Sequence, residues 1–69
     1  MPLNCYSVRQ ARVLRGLTQV EMAKRLGVSR DVYRRIEGNP ASATIAQGQA
    51  ISRITDIPFD HIFFGPEST

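Results

Sequence analysis

The feature that most constrains this 69-residue chain is a single glycine between two helix-start signals. Thr18 and Glu21 have the spacing of a capping box, in which each side chain bonds the backbone N–H of the other residue. The apolar residues that follow recur at helical spacing and predict a first short helix. Gly27 can end that helix in the left-handed conformation. Only Val28 then separates it from Ser29, a second N-cap candidate.

The helix that starts after Ser29 is predicted to run from about residue 30 to residue 37, with Gly38 as its stop. Tyr33 and Ile36 fall on its inward face. Two helices joined by so short a turn cannot lie antiparallel, so they must cross steeply. The sequence therefore predicts a helix-turn-helix unit over residues 18–37.

The outward face of this second helix is unusually basic. Three guanidinium groups on about two turns repel one another unless an anion lies nearby. The alternative is an ordinary solvated face, but the tight turn and the paired caps favour a nucleic-acid interface. The residues concerned are Arg30, Asp31, Arg34 and Arg35.

The stretch QVEMAKRLGVSRDVYRRIE resembles the DNA-binding unit of phage repressors, Cro proteins and their bacterial relatives, the lambda-repressor-like or XRE family. The resemblance is good from Val8 to Gly38 and looser to about Phe63. It implies an all-α, compact five-helix domain that binds double-stranded DNA. We expect residues 1–69 to form that single domain.

The resemblance also implies an ion pair. The arginine in the family that corresponds to Arg12 pairs with the glutamate that ends the recognition helix, here Glu37. Such a pair would tie the first helix to the end of the third. Alternatively, Arg12 extends to a DNA phosphate or to solvent.

Charge is concentrated in one half of the chain. Residues 1–37 contain eight of the nine Lys and Arg residues and three acids, whereas residues 38–69 contain one Arg and three acids. The formal charges of +5 and −2 agree with the net charge of +3. A basic half beside an acidic half suits a polyanion on one side and a different partner on the other.

The composition argues against several other classes of protein. Cys5 is the only cysteine and His61 the only histidine, so neither a disulfide nor a metal cluster is expected. No stretch approaches the roughly 18 apolar residues of a membrane span, and no signal-peptide pattern is present. We expect a cytoplasmic protein without a cofactor. The absence of a catalytic triad or phosphate-cradling loop makes an enzyme the least supported reading.

The first helix is predicted at about residues 5–15. Asn4 or Ser7 can cap it, and Gly16 is expected to end it. It precedes the helix-turn-helix unit and carries Arg12 on its inward side.

A fourth helix is predicted from about Ser42 or Thr44 to Thr55. Ile45 is expected to be buried in it. Gly48 either weakens this helix or permits a close helix crossing.

A fifth short helix is predicted at about residues 58–63, with Pro58 at its first position. A mobile tail is expected at residues 65–69. The phenylalanines here either close the core or form a dimer or partner surface, and Phe64 is the best candidate for exposure. The residues assigned to that surface are Phe59, Ile62 and Phe64.

Arg30 and Arg35 are the first candidates for base reading, because arginine can donate two hydrogen bonds to guanine. Asp31 either accepts from a cytosine amino group or aims Arg35 from four residues away. Arg34 lies nearer the flank and can contact a base or a phosphate. This surface suggests half-sites that contain G·C pairs.

Candidate phosphate contacts surround this face. Gln19 begins the second helix, where free N–H groups favour an anion, and the family resemblance gives it the same role. Ser29 can cap its helix and also touch phosphate. Asn39 and Arg15 complete the set. The loop after Gly38 is shorter than in the family, so its backbone contact to phosphate is in doubt.

The sequence thus predicts a sequence-specific transcriptional regulator, best matched in size by a phage or mobile-element repressor or Cro-like protein. We expect a palindromic operator and a homodimer at least on DNA. One alternative is an anti-repressor or antitoxin of the same fold that binds a protein partner. Another is that the chain is the DNA-binding part of a longer repressor.

Overall fold

A hydroxyl side chain caps the start of each α-helix in the structure, a computed structural model that describes residues 5–64. The caps of α1 (Val8–Arg15), α2 (Gln19–Leu26) and α4 (Ile45–Thr55) are full capping boxes. In α3 (Arg30–Gly38) the Ser29 hydroxyl accepts from the backbone N–H of Val32. The capping residues, Ser7, Thr18, Ser29 and Thr44, are therefore the points at which the sequence divides the chain into helices.

Two glycines end the first two helices as predicted. Gly16 and Gly27 have φ angles of 77° and 78°, a left-handed conformation that costs little without a Cβ atom. The stop predicted at Gly38 is wrong, because Gly38 is the last residue of α3. Asn39 ends that helix instead, with φ of −143°. It precedes Pro40, whose ring disfavours the helical conformation in the residue before it.

The first helix begins later than predicted, because Tyr6–Ser7 form a short strand, β1. Of the two predicted caps, Ser7 is used, and Asn4 lies outside the described residues. The fourth helix begins after Thr44 rather than at Ser42, since Pro40–Ser42 form a separate 3₁₀ turn.

The predicted fifth helix is wrong. Phe59–His61 form a single 3₁₀ turn, and Ile62–Phe63 form strand β2, which pairs with β1 in parallel. Pro58 stands before the turn in an extended conformation, not at a first helical position. A helix of six residues forms too few internal hydrogen bonds to be stable, and pairing with β1 satisfies the backbone instead. The described residues therefore contain four α-helices, and the predicted tail at 65–69 lies outside them.

The core lies where α1, α2, α3 and α4 meet, and β2 closes it. Tyr33, Met22, Ile51 and Val8 are its largest fully buried side chains. Ala23 is 3 % exposed on α2, and its small side chain lets α3 cross closely. The inward positions predicted for Tyr33 and Ile36 are confirmed by exposures of 0 % and 2 %.

The structure determines which side of α4 is buried, and it is not the side of Ile45. Gly48, Ile51 and Thr55 form its buried side, whereas Ile45 is 77 % exposed. Ile45 is the first residue of the helix and projects beyond the core, so its predicted burial is wrong. A Cβ atom at Gly48 would lie 3.0 Å from Phe59, so the close approach at this glycine comes from an aromatic ring.

Within residues 5–64, every helix falls short of the length and apolar character that a membrane span requires.

Candidate nucleic-acid interface

The recognition face predicted on α3 is exposed to solvent in the structure. The side of α3 that carries Tyr33 and Ile36 is buried, which leaves the opposite side to solvent. Four charged residues occupy that exposed side: Arg30, Asp31, Arg34 and Arg35. Because the core holds the inward face, the orientation of these side chains follows from the packing of α3.

The aiming contact that the spacing of Asp31 and Arg35 allows is not formed. Among the described residues, the Arg12–Glu37 pair is the only one that meets the distance of a salt bridge. Asp31 therefore leaves the Arg35 guanidinium free in the unbound chain.

The carboxylate of Glu37 is a meeting point for three helices. Its Oε2 accepts from Arg12 Nε of α1 at 2.6 Å and from the Tyr33 hydroxyl of α3 at 2.5 Å. Its Oε1 accepts from Gln19 Nε2 of α2 at 3.0 Å. Arg12 Nη1 also donates to the Leu17 carbonyl at 2.8 Å. These bonds fix the end of the recognition helix against both preceding helices.

The surroundings of Glu37 keep it ionised. Burial opposes its charge, but hydrogen bonds from Arg12, Tyr33 and Gln19 outweigh that effect and lower the pKa of Glu37. Burial likewise opposes the charge on Arg12, yet the bond and charge of Glu37 raise the Arg12 pKa. Burial, together with the bond to Glu37, raises the pKa of Tyr33 far above its ordinary value of 10.0. The cluster therefore holds one carboxylate, one guanidinium and one neutral phenol.

One of the predicted phosphate contacts, Gln19, borders an open recess beside the start of α2. The recess has a volume of about 390 Å³ and lies between α2 and the first residue of α3. The N-terminus of α2 and the Arg30 guanidinium favour an anion at such a place, whereas the charge of Arg12 is already paired with Glu37. Its lining residues are Arg12, Thr18, Gln19, Val20 and Arg30.

The other predicted phosphate residues lie at helix ends. Ser29 is exposed and already caps α3 through its hydroxyl. Asn39 is exposed directly after α3, and its carbonyl accepts from the Ser42 hydroxyl at 2.8 Å. Arg15 is exposed at the last position of α1. The recess does not include any of these three residues.

The predicted dimer or partner surface needs correction. Ile62 is only 5 % exposed, because it is the β2 residue that packs into the core. Phe64 is half-buried and stacks on Phe59 with ring centroids 5.0 Å apart, so its predicted exposure is wrong. Phe59 and Phe63 are 43 % and 38 % exposed instead. Ile45 lies near Phe59, on the edge of a cleft of about 120 Å³.

Sequence reasoning missed the part that Tyr33 plays in the site. It was assigned to the core by spacing alone, yet its hydroxyl bonds Glu37. A signal was present, since the two residues are four apart on one helix. A buried tyrosine hydroxyl usually requires a polar partner.

The described residues contain no group of three or more His, Cys, Asp or Glu side chains arranged to hold a metal ion. Cys5 is half-buried as a free thiol. The candidate site consists of the charged outer face of α3 and the hydrogen-bonding groups beside it.

A family model described as helix-turn-helix matches residues 8–62, which is most of the chain. The match begins at the first residue of α1 and extends into β2. Comparisons with curated proteins and with solved structures found no match. The family is one of DNA-binding regulatory domains and not of enzymes. This chain belongs to the helix-turn-helix family of the Cro/C1, XRE-like type.

Proposed function

We propose that this chain is a sequence-specific transcriptional regulator that inserts α3 into the major groove of its operator. The observation that carries the proposal is the exposed face of α3, which presents three arginines on a helix locked by its buried side. The major groove is wide enough for a helix and shows a distinct donor and acceptor pattern for each base pair. The small size fits a repressor or Cro-like protein of a phage or mobile element.

Arg30 and Arg35 read bases in this proposal. Each can donate two hydrogen bonds to O6 and N7 of guanine, which discriminates against other bases by about 1–3 kcal/mol. Asp31 accepts from a cytosine amino group, since it does not engage Arg35 in the free chain. Arg34 takes a base or a phosphate at the flank of the groove.

Phosphate contacts set the orientation of the domain on DNA. We assign Gln19 and the recess at the start of α2 to one phosphate. Ser29, Asn39 and Arg15 are assigned to neighbouring phosphates on the same side. Ser29 supports this assignment because it stands directly before the base-reading residues.

We further propose that two copies bind a palindromic operator. A single α3 offers few base contacts, and two copies can span successive major grooves about 34 Å apart. The exposed side chains of Ile45 and Phe59 border one cleft, and Phe63 is exposed four residues after Phe59. We assign these three apolar side chains to the contact with the second copy. Sedimentation with operator DNA should show two chains per duplex. Phe63→Ser should reduce this to one, whereas Val13→Ser, at an apolar position that is more exposed still, should not.

The alternative function is an anti-repressor or antitoxin that binds a protein. Two exposed phenylalanines, Phe59 and Phe63, support it as well, because they lie within three residues of the acidic Asp60 in the chain. This reading predicts no saturable DNA binding by the purified chain. It also predicts that Phe63→Ser abolishes the activity while Arg30→Ala leaves it intact.

A selection from random duplex DNA tests the proposal, followed by titration of the selected site at two salt concentrations. We expect a palindrome with guanines in each half, bound more weakly as salt rises. Each phosphate contact contributes a slope of about −0.9 to the dependence of log K on log salt. Binding without a preferred sequence would leave only the electrostatic term and contradict sequence-specific regulation. A complete lack of binding would favour the protein-partner function.

A further inference from the structure

The two oxygens of the Glu37 carboxylate accept hydrogen bonds from different helices. Oε2 is held by Arg12 and Tyr33 from two directions, at 2.6 and 2.5 Å. Oε1 is left to face the start of α2, where it accepts from Gln19 at 3.0 Å. The two donors on Oε2 therefore determine where Oε1 points.

Tyr33 cannot touch DNA itself. Its side chain is 0 % exposed and lies on the face of α3 opposite the arginines. Its hydroxyl reaches outward from the core to Glu37. Any influence of this hydroxyl on DNA binding must therefore pass through Glu37 and the residues that Glu37 contacts.

The contact to Glu37 decides how Gln19 presents its amide. An ionised carboxylate can only accept hydrogen bonds, so it selects the NH₂ end of the amide and excludes the carbonyl end. One N–H of Gln19 is used by Glu37, and the second remains on the same nitrogen for an outside acceptor. Gln19 is only partly exposed and borders the recess at the start of α2. A phosphate oxygen at that recess would meet a donor that is already oriented.

We propose that Tyr33 and Glu37 are positioning residues for the phosphate contact of Gln19. Together they link the end of the base-reading helix to the phosphate-binding start of α2. The spacing between the two kinds of DNA contact is then set inside the protein, before DNA arrives. This inference rests on the proposed DNA-binding function.

A double-mutant cycle separates positioning from a purely structural role. Tyr33→Phe keeps the ring in the core and removes the hydroxyl. We expect it to weaken operator binding about five-fold, the size of one net hydrogen bond. In the Gln19→Ala background the same change should cost almost nothing, because the residue it positions is gone. A structural role would cost the same factor in both backgrounds.

Glu37→Gln provides a second route through the same cycle. Its side-chain NH₂ can face Gln19 and turn the Gln19 amide over. We expect a loss of operator affinity at least as large as that of Tyr33→Phe. The loss should be smaller in the Gln19→Ala background, where only the hold of Arg12 on the end of α3 is weakened. All affinities should be measured well below the melting temperature of the least stable variant, with circular dichroism to establish that each variant is folded.

Operators with single methylphosphonate linkages give a readout that folding alone would not change. The unmodified chain should lose affinity when the phosphate facing Gln19 is neutralised. Tyr33→Phe should lose that sensitivity at this one phosphate and keep it at the others.

Equal losses in both backgrounds, or unchanged phosphate sensitivity in Tyr33→Phe, would overturn the inference while the proposed function stands. It would also be overturned if Gln19→Ala binds the operator normally while Arg30→Ala does not. If the unmodified chain binds no DNA, the proposed function fails and the inference fails with it.

Discussion

The Arg12 guanidinium lies 2.6 Å from the Glu37 carboxylate and joins the first helix to the end of the third. The two side chains are only 12 % and 8 % exposed, so little water competes for either charge. Their residues are 25 positions apart in the chain. The pair therefore fixes the recognition helix by its end, while the core holds its inward face.

Arg12→Ala should lower the free energy of unfolding by about 2–3 kcal/mol, because it leaves a largely buried carboxylate without its ion partner. The matched control is Arg9→Ala, an exposed arginine of the same helix. It should change stability by less than about 0.5 kcal/mol. Urea unfolding of the three proteins measures this, and equal midpoints would refute a stabilising role for the pair.

The depressed pKa of Glu37 predicts a loss of stability in acid. Burial acts against the shift, but the bonds from Arg12, Tyr33 and Gln19 outweigh it and place the pKa below the ordinary 4.5. As the pH falls below about 4.5, the unfolded chain takes up the proton first, so unfolding becomes more favourable. The stabilisation is present above that pH and is lost as the pH falls through the folded-state pKa.

Unfolding free energies measured between pH 6 and pH 3 should therefore fall less steeply for Glu37→Gln than for the unmodified chain. The glutamine variant has no proton to gain at this position. Identical slopes would mean that Glu37 does not titrate differently in the folded and unfolded states.

Most of the local structure could be predicted because it depends on neighbouring residues. The capping box of Thr18 and Glu21 and the left-handed Gly27 involve contacts within a few positions. The conformation of residues 62–63 could not be predicted from neighbouring residues. Whether residues 62–63 continue a helix or form a strand depends on β1, more than fifty residues earlier.

In the candidate site, too, features set by neighbouring residues could be predicted, and contacts between distant residues could not. The exposed arginines of α3 follow from helical spacing. The pair of Arg12 and Glu37 came from family resemblance, since no local pattern joins residues in different helices. The part played by the Tyr33 hydroxyl depends on the distance between side chains across the packed core, which the sequence does not display.

Gly27→Ala should destabilise the chain by about 1 kcal/mol, because an alanine must adopt the left-handed conformation at φ 78°. No atom would obstruct the new Cβ, so the effect is one of backbone strain alone. Gly38→Ala is the control. Its surroundings are equally open, but it lies within a helix. It should stabilise the chain by about 0.5 kcal/mol, and changes of the same sign at both positions would contradict this.

Substitutions at Gly48 should depend strongly on size. A Cβ atom there would lie 3.0 Å from the Phe59 ring and 3.4 Å from Phe64. Because the Phe59 ring is 43 % exposed, it can shift. The better helix propensity of alanine then offsets the crowding, and Gly48→Ala should be within about 1 kcal/mol of neutral. Gly48→Val should destabilise by about 2 kcal/mol, because it disrupts the ring stack. Thermal melts of both variants test this, and equal melting temperatures would contradict it.

The most direct test of base reading by α3 is an operator in which single guanines are replaced by 7-deazaguanine, which lacks the N7 acceptor. At the guanine that Arg30 or Arg35 contacts, the replacement should weaken binding by the unmodified chain about ten-fold. The same replacement should cause no further loss of affinity in the variant whose contacting arginine is changed to alanine. Arg53→Ala, at an exposed position of α4, should behave like the unmodified chain. If every variant lost the same factor, or if none did, α3 would not be the element that reads the sequence.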